Sequence, residues 1–535
     1  MATTTSLRSR RSEAQLHALT DVERDIRAAD PSARRKYLRE FNQRFRSYDS
    51  VIDHTEVKQR VASADIVLIG DYHALPASQR YAGTLLEERA HPGDRPVVLA
   101  VETIFSRDQH ILDEWWRREI DEAELRQRIR FDLDWGYEWG PFYQLLITAR
   151  EHAEAIYGLD CMPREDLRKI GARDRHAAHK LSEIRRRHPR AVILVLFGES
   201  HLAPSHLPKR VREKLPQERV LTVLQNIDAL YWRAAGERQE SVEAVRIDDH
   251  ALCVFNSTPL EKYESYRLHL SSLGRAEGEG PDLAPTVYNL IVSLLRVLNV
   301  KLYSSHNRTQ PVFLVDSLPE IFARGSEARL RRALALENLD EAEAEALLSK
   351  VEEHGSAYLP HTNVFYVREF RMMYAAEEAA RFVHNTCRSL LSSPGTAIYP
   401  SDPEDTFYAR ALEHALAYLG SRILYPARAQ DSAEPDVTRK GLAEQGRAAV
   451  RKDAEGREAS ARQLGYALGA DLYRNYLAGT ITRSRLRRLF FTSLGEPGKA
   501  RKLCFELTRK RGPDRKGPRP DHSLLDPQSR IASSR

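Results

Sequence analysis

The apolar residues of this chain follow two rhythms. From Asp65 onward, short β-rich runs alternate with longer amphipathic segments. The runs are Ile66–Ile69, Pro96–Val101, Ala155–Leu159, Ala191–Phe197 and Val220–Leu224. Between them, helical patterns cover Ala77–Ala90, Arg107–Arg117, Pro141–His152 and Arg164–Arg187. This alternation predicts a parallel or mostly parallel sheet covered by helices. After about Tyr266 the rhythm is lost. Helical patterns then follow over Val287–Leu302, Glu327–Glu353, Arg371–Leu391, Thr406–Leu424 and Arg457–Leu477. Two short strand-like runs, Pro311–Val315 and Val364–Val367, interrupt them. The fold class expected is α/β, with a second, mostly helical domain.

The first sixty residues read as helical, with Tyr37, Leu38, Phe41, Phe45 and Tyr48 spaced for a docking helix. Gly274–Pro285 and Tyr425–Lys440 read as connections. The expected organisation is an N-terminal helical extension (1–50), an α/β domain (51–270), a helical domain (280–425), C-terminal helices (440–507) and a disordered basic tail (508–535). Gly465 and Gly469, four apart in an Ala/Leu-rich helix with flanking charges, suit close helix packing rather than a membrane dimer.

Composition changes this picture in three ways. The net charge of +6 is local: residues 499–535 hold eleven Lys/Arg against four Asp/Glu, so everything before them is close to neutral. Nucleic-acid binding by the folded part is therefore disfavoured. The four cysteines, Cys161, Cys253, Cys387 and Cys504, lie far apart, which disfavours a disulfide framework and a cysteine zinc finger. No apolar run approaches the roughly 18 residues of a membrane span, and the polar N-terminus lacks a signal-peptide core. A cytoplasmic protein without a membrane span is expected.

Candidate chemistry sits where the runs end. The first leads into Gly70-Asp71-Tyr72-His73 and the fourth into Gly198-Glu199-Ser200-His201. The pattern of apolar strand, glycine, acid, any residue and histidine thus occurs twice. The second run leads into Glu102 and the third into Asp160. In an open α/β sheet, ligands bind outside the carboxyl ends of the strands. Parallel strands would bring Asp71, His73, Glu102, Asp160, Glu199 and His201 to one crevice. Two imidazoles and several carboxylates there suit either a divalent metal or general acid/base catalysis. His73, Glu102 and His201 would be the central set, as metal ligands or as the groups that activate water. Asp71 and Glu199 would orient the imidazoles or cap the following helices. Arg173 would hold an anionic substrate group, pair with Asp160 or lie on a helix surface. Tyr72 reads as a loop aromatic packed on the sheet edge.

These motifs resemble the haem-binding uptake/Tiki superfamily, and within it the ChaN-like proteins. Erythromycin esterase-like, Tiki and TraB proteins are relatives. Gly70-Asp71-Tyr72-His73 followed by Pro76 is similar to the first ChaN motif, and Val101-Glu102 to the strand-ending glutamate. Trp135–Leu146 resembles the tryptophan/tyrosine helix start, and Gly198-Glu199-Ser200-His201-Leu202 the last motif. Arg173-Asp174-Arg175-His176-Ala177-Ala178 is similar to the R-D-x-x-M-A helix of the esterase-like branch, with alanine in the methionine position. The resemblance covers roughly Ser50 to Tyr231. It implies a three-layer α/β domain with its site at the two G-x-x-H loops.

Activities differ between branches. The resemblance implies metal-dependent proteolysis for Tiki proteins, ester hydrolysis by His and Glu for the esterases, and haem binding with iron uptake for ChaN-like proteins. The function expected here is a hydrolase, with a divalent metal as an optional cofactor and a small-molecule or peptide substrate. The alternative that the resemblance implies is a haem- or iron-binding protein without turnover, with Tyr72 or His73 beside the haem and Tyr72 as a haem ligand.

Overall fold

The computed structural model describes residues 2–30, 36–90, 95–161, 170–237, 242–273, 281–301, 317–323, 327–337, 341–389, 399–426, 428 and 439–508. The strand expected at Pro311–Val315, the basic tail, most of both connections and the start of the Arg164–Arg187 helix lie outside the described residues.

Eight strands form one sheet: β1 (Ser50–Ile52), β2 (Ile66–Asp71), β3 (Val97–Phe105), β4 (Ala155–Asp160), β5 (Val192–Gly198), β6 (Val220–Gln225), β7 (Ala244–Asp248) and β8 (Ala251–Val254). Their order is β1-β7-β8-β6-β2-β5-β3-β4. Only β7 runs against the rest, antiparallel to both β1 and β8. The runs of β2, β3 and β5 are apolar throughout because both faces of the sheet are covered there; β6 carries Thr222, and β4 stands at the edge. Val67, Ile69, Leu99, Val101, Leu194 and Leu196 point to one core, and Ile66, Leu68, Val98, Ala100, Ile193 and Val195 to the other. That alternation is the two-residue period of a strand. Helices Pro76–Arg89 and Trp139–His152 cover the first face. Helix Ile170–Arg187 covers the second, together with Phe41 and Phe45 of the expected docking helix. The layers are helix, sheet, helix.

Two features of β3 differ from expectation. The strand runs on to Phe105, so Glu102 lies within it, and its register against β4 shifts between Val101 and Phe105. Helix Pro259–Ser272 follows the sheet and continues past Tyr266.

The second half is mostly helical. The Glu327–Glu353 pattern is two helices, Glu327–Leu336 and Glu341–His354. They pack on a small sheet of β9 (Glu320–Ala323), β10 (Ser356–Leu359) and β11 (Val364–Val367). The main helical core joins helices Ala284–Val297, Met372–Ser389, Pro403–Leu424 and Ala454–Leu477. Gly465 and Gly469 let the last two touch: a Cβ on Gly465 would stand 2.6 Å from the Ala411 carbonyl, and one on Gly469 2.7 Å from that of Ala415. Helix Ala2–Ala29 belongs to this core through Ala14, Ala18, Val22 and Ile26, and Asn289 donates to the Ala18 carbonyl at 3.0 Å. Among the described residues, no helix is long and apolar enough to cross a membrane.

Candidate active site at the carboxyl edge of the sheet

β2 ends at Asp71, and the chain turns so that His73 folds back on it. His73 Nδ1 lies 2.7 Å from Asp71 Oδ2. Gln79, in the first turns of the next helix, donates to Asp71 Oδ1 and keeps that carboxylate in place. Trp135, Tyr137 and Phe142 wall the His73 ring, with centroids 5.3, 5.2 and 6.3 Å away. β5 ends at Gly198, and the chain then winds into a single 3-10 turn, Glu199–Leu202. His201 sits in that turn, buried, with Nδ1 2.6 Å from Asp174 Oδ1. The other oxygen of Asp174 is 3.2 Å from His206 Nδ1.

Glu102 stands between the two imidazoles, where the shifted part of β3 begins. Its Oε2 accepts the Gly198 N–H, and its Oε1 accepts from Arg173 Nη2. His73 Nε2 lies 3.6 Å from Oε2 and His201 Nε2 3.8 Å from Oε1. Any side chain at position 198 would crowd Glu102. A Cβ there would stand 2.9 Å from Glu102 Oε2 and 3.5 Å from His73 Nε2. Arg173 also grips Asp160, with Nε 2.9 Å from Oδ1 and Nη2 2.6 Å from Oδ2.

Electrostatics follow from this packing. Burial pushes the Glu102 carboxyl up. Arg173, His201, His73 and the Gly198 amide outweigh burial and bring its pKa down to about 2. Asp160 moves the other way, because burial is not offset by a guanidinium that it shares with Glu102. An ionised aspartate only accepts, so each histidine donates from Nδ1 and turns Nε2 toward Glu102. Those two Nε2 atoms are the groups placed to take or give a proton.

Of the residues selected from the sequence, Asp71, His73, Glu102, Asp160, Arg173 and His201 come together. Glu199 and Tyr72 stand to one side. Glu199 turns away from His201 and pairs with Lys262 Nζ at 2.8 and 3.0 Å. The same ammonium lies 4.7 Å from the Tyr72 ring, which also meets the edge of Tyr266. Burial, then Glu199 and Tyr266, push the Tyr72 hydroxyl well above its ordinary pKa. Sequence reasoning missed Asp174, His206, Gln79 and Lys262. Asp174 had a signal, since it follows Arg173 in the Arg-Asp pair. Lys262 had none. Among the described residues, no three His, Cys, Asp or Glu side chains are arranged to hold a metal ion. The guanidinium of Arg173 occupies the place beside Glu102 that a cation would take.

Residues 57–193 match the family model for haem-binding uptake, Tiki superfamily, ChaN. The α/β half carries a ChaN-like domain. The matched stretch of this ChaN-like domain holds Asp71, His73, Glu102, Asp160, Arg173 and Asp174. It ends within β5, before Gly198 and His201. A solved structure described as cofacial haem binding to ChaN of Campylobacter jejuni is similar at 15% identity and a TM-score of 0.27, covering 33% of this chain and 86% of that one. No curated protein sequence matches this chain.

Proposed function

We propose that this protein is a hydrolase that activates water with its own paired histidines. One observation carries the reading: two imidazoles, each anchored at Nδ1 by its own aspartate, present Nε2 to opposite oxygens of one buried carboxylate. The spacings of 3.6 and 3.8 Å are too long for direct hydrogen bonds, so both Nε2 atoms stay open to a water that enters beside Glu102. His73, the more accessible of the two, takes the proton from that water. Glu102, held anionic, stabilises the imidazolium that forms. The water oxygen bonds to the acyl carbon, the bond to the leaving group breaks, and His73 hands its proton to the departing atom while His201 Nε2 accepts a hydrogen bond from the attacking water. The substrate is a small acyl compound or peptide entering past Trp135, Tyr137 and Phe142.

A divalent ion on His73, Glu102 and His201 does not fit the set as it stands, because Arg173 and the Gly198 amide already hold both oxygens of Glu102. The family description favours a second reading, haem binding without turnover. Tyr72 and His73 do not fit a haem iron in this arrangement. The first keeps its proton under Lys262, and the second has Nδ1 on Asp71 and Nε2 turned inward.

The test is a panel of activated esters, lactones and peptides incubated with the full chain, alongside a hemin titration followed in the visible. We expect turnover of at least one substrate, lowered roughly 10²–10⁴-fold in His73→Ala and in His201→Ala. A Soret band that saturates at stoichiometric hemin, with no turnover on any substrate, would replace this reading with the second.

A further inference from the structure

Beside the Glu102 cluster, the carboxyl edge of β3 and β4 holds another pair of chemistry-bearing side chains. Ser106 is the first residue past β3, and His176 lies three residues after Arg173 on helix Ile170–Arg187. Ser106 Oγ stands 2.8 Å from His176 Nε2 and 3.1 Å from the Asp160 carbonyl oxygen. The hydroxyl has one proton, which it donates either to the Asp160 carbonyl or, across the shorter contact, to the imidazole. Both residues are half-buried, so the pair is neither sealed in the core nor fully in solvent.

The backbone is shaped to hold Ser106 there. The register shift in β3 is a bulge, a device that re-aims the residues following it. The carbonyls of Ile104 and Phe105 cross Gly158 so closely that a Cβ there would stand 2.7 and 2.9 Å from them. Gln109 bonds the β4 backbone beside the bulge. Its Oε1 accepts the Gly158 N–H at 2.9 Å, and its Nε2 donates to the Ile156 carbonyl at 2.9 Å. Burial, and then the charge of Lys180, holds the His176 pKa below its ordinary value. Its ring is therefore neutral at pH 7 and able to accept a proton. A hydroxyl within hydrogen-bond reach of a neutral imidazole is the arrangement of an activated nucleophile.

We propose that Ser106 is a nucleophile activated by His176, able to take the acyl group of an ester or lactone. Ser106 Oγ bonds to the acyl carbon while its proton passes to His176 Nε2. The carbon–oxygen bond to the leaving alcohol breaks, and that oxygen takes the proton from His176. Water then attacks the acyl carbon, gives a proton to His176 and releases the acid, and the proton returns to Ser106 Oγ. This goes beyond the reading at Glu102, because it uses neither His73 nor His201.

The experiment is covalent labelling of the full-length chain with an alkyl fluorophosphonate, read by intact mass and peptide mapping. The bond formed is Ser106 Oγ to phosphorus, and fluoride leaves with the proton. We expect one adduct, on Ser106, absent in Ser106→Ala and formed roughly a hundredfold more slowly in His176→Ala and His176→Gln. No adduct on Ser106 in the wild-type chain, while a serine esterase in the same tube is labelled, overturns the proposal. An unchanged labelling rate in both His176 variants does so too. The first outcome needs no variant, so misfolding cannot excuse it. Because labelling needs no turnover, this inference and the paired-histidine reading fail separately.

Discussion

Each half of this protein buries a cluster of charge, made from similar residues and finished differently. In the helical half, Glu377 accepts from Arg381 at 3.0 Å, Arg428 at 2.7 Å and Tyr466 at 3.0 Å. Glu378 accepts from Lys350 at 2.6 Å, from Arg381 at 3.2 Å and from the Tyr358 amide at 2.9 Å. His414 accepts from Arg381 at 2.7 Å and reaches Glu458 at 2.8 Å. Each of these carboxylates, and both nitrogens of His414, meet a partner at hydrogen-bonding distance. At the sheet edge the aspartates are bonded as closely, yet two imidazole nitrogens stop short of Glu102. A network that closes fixes how helices pack. One that stops short of contact leaves two ring nitrogens open to take a proton.

The largest expected effect tests the closed network. Glu377→Ala leaves Arg381 and Arg428 buried without their shared partner, and should cost about 3–5 kcal/mol in urea unfolding. A loss below about 1 kcal/mol would mean that the network does not hold the helices.

A smaller effect concerns His384, which is buried with its ring edge-on to Phe490. Burial, then Arg388, lowers its pKa to about 3. The unfolded chain binds this proton near pH 6.5, so stability contributed by neutral His384 falls as pH drops from about 6.5 toward 3. His384→Leu should remove about 2 kcal/mol of that loss at pH 5 and nothing at pH 8. Parallel stability–pH curves for the two proteins would refute the assignment. Glu458 adds a separate acid limb. Burial raises its pKa, but His414 and Arg410 outweigh burial and lower it to about 2. Its contribution is complete above the unfolded value of about 4.3 and is lost as pH falls toward 2, in wild type and variant alike.

The smallest expected stability effect lies at the open cluster. Gly198→Ala pushes Glu102 off the 198 amide and toward the two imidazoles. It should cost only about 1–2 kcal/mol in thermal unfolding while lowering hydrolysis well over tenfold. Full activity with the melting point unchanged would show that the Glu102 position is not critical.

Strands β2 to β6 and both G-x-x-H loops were legible because they are local: an apolar run, a glycine, an acid and a histidine within one stretch. The partners of those histidines were not. Both loops carry an acid two residues before the histidine, yet only Asp71 turns back onto its ring. The 3-10 turn after β5 rotates Glu199 toward Lys262, sixty-three residues away, and a different helix supplies Asp174. β7 and β8 escaped notice because they are short, five and four residues long, and β7 is partly polar. The second-half strands β9 and β10 are four residues each and carry too little pattern to separate from loops.

Helix Ala2–Ala29 is made before the sheet but is held by residues synthesised after it, among them Val287, Leu290 and Leu294. During translation its apolar stripe must wait until the whole sheet has emerged. A fragment starting at the sheet would therefore leave the helical half with an open furrow, whatever linker is chosen for the cut. Separating the two halves to ask what each one does requires grafting that first helix onto the second.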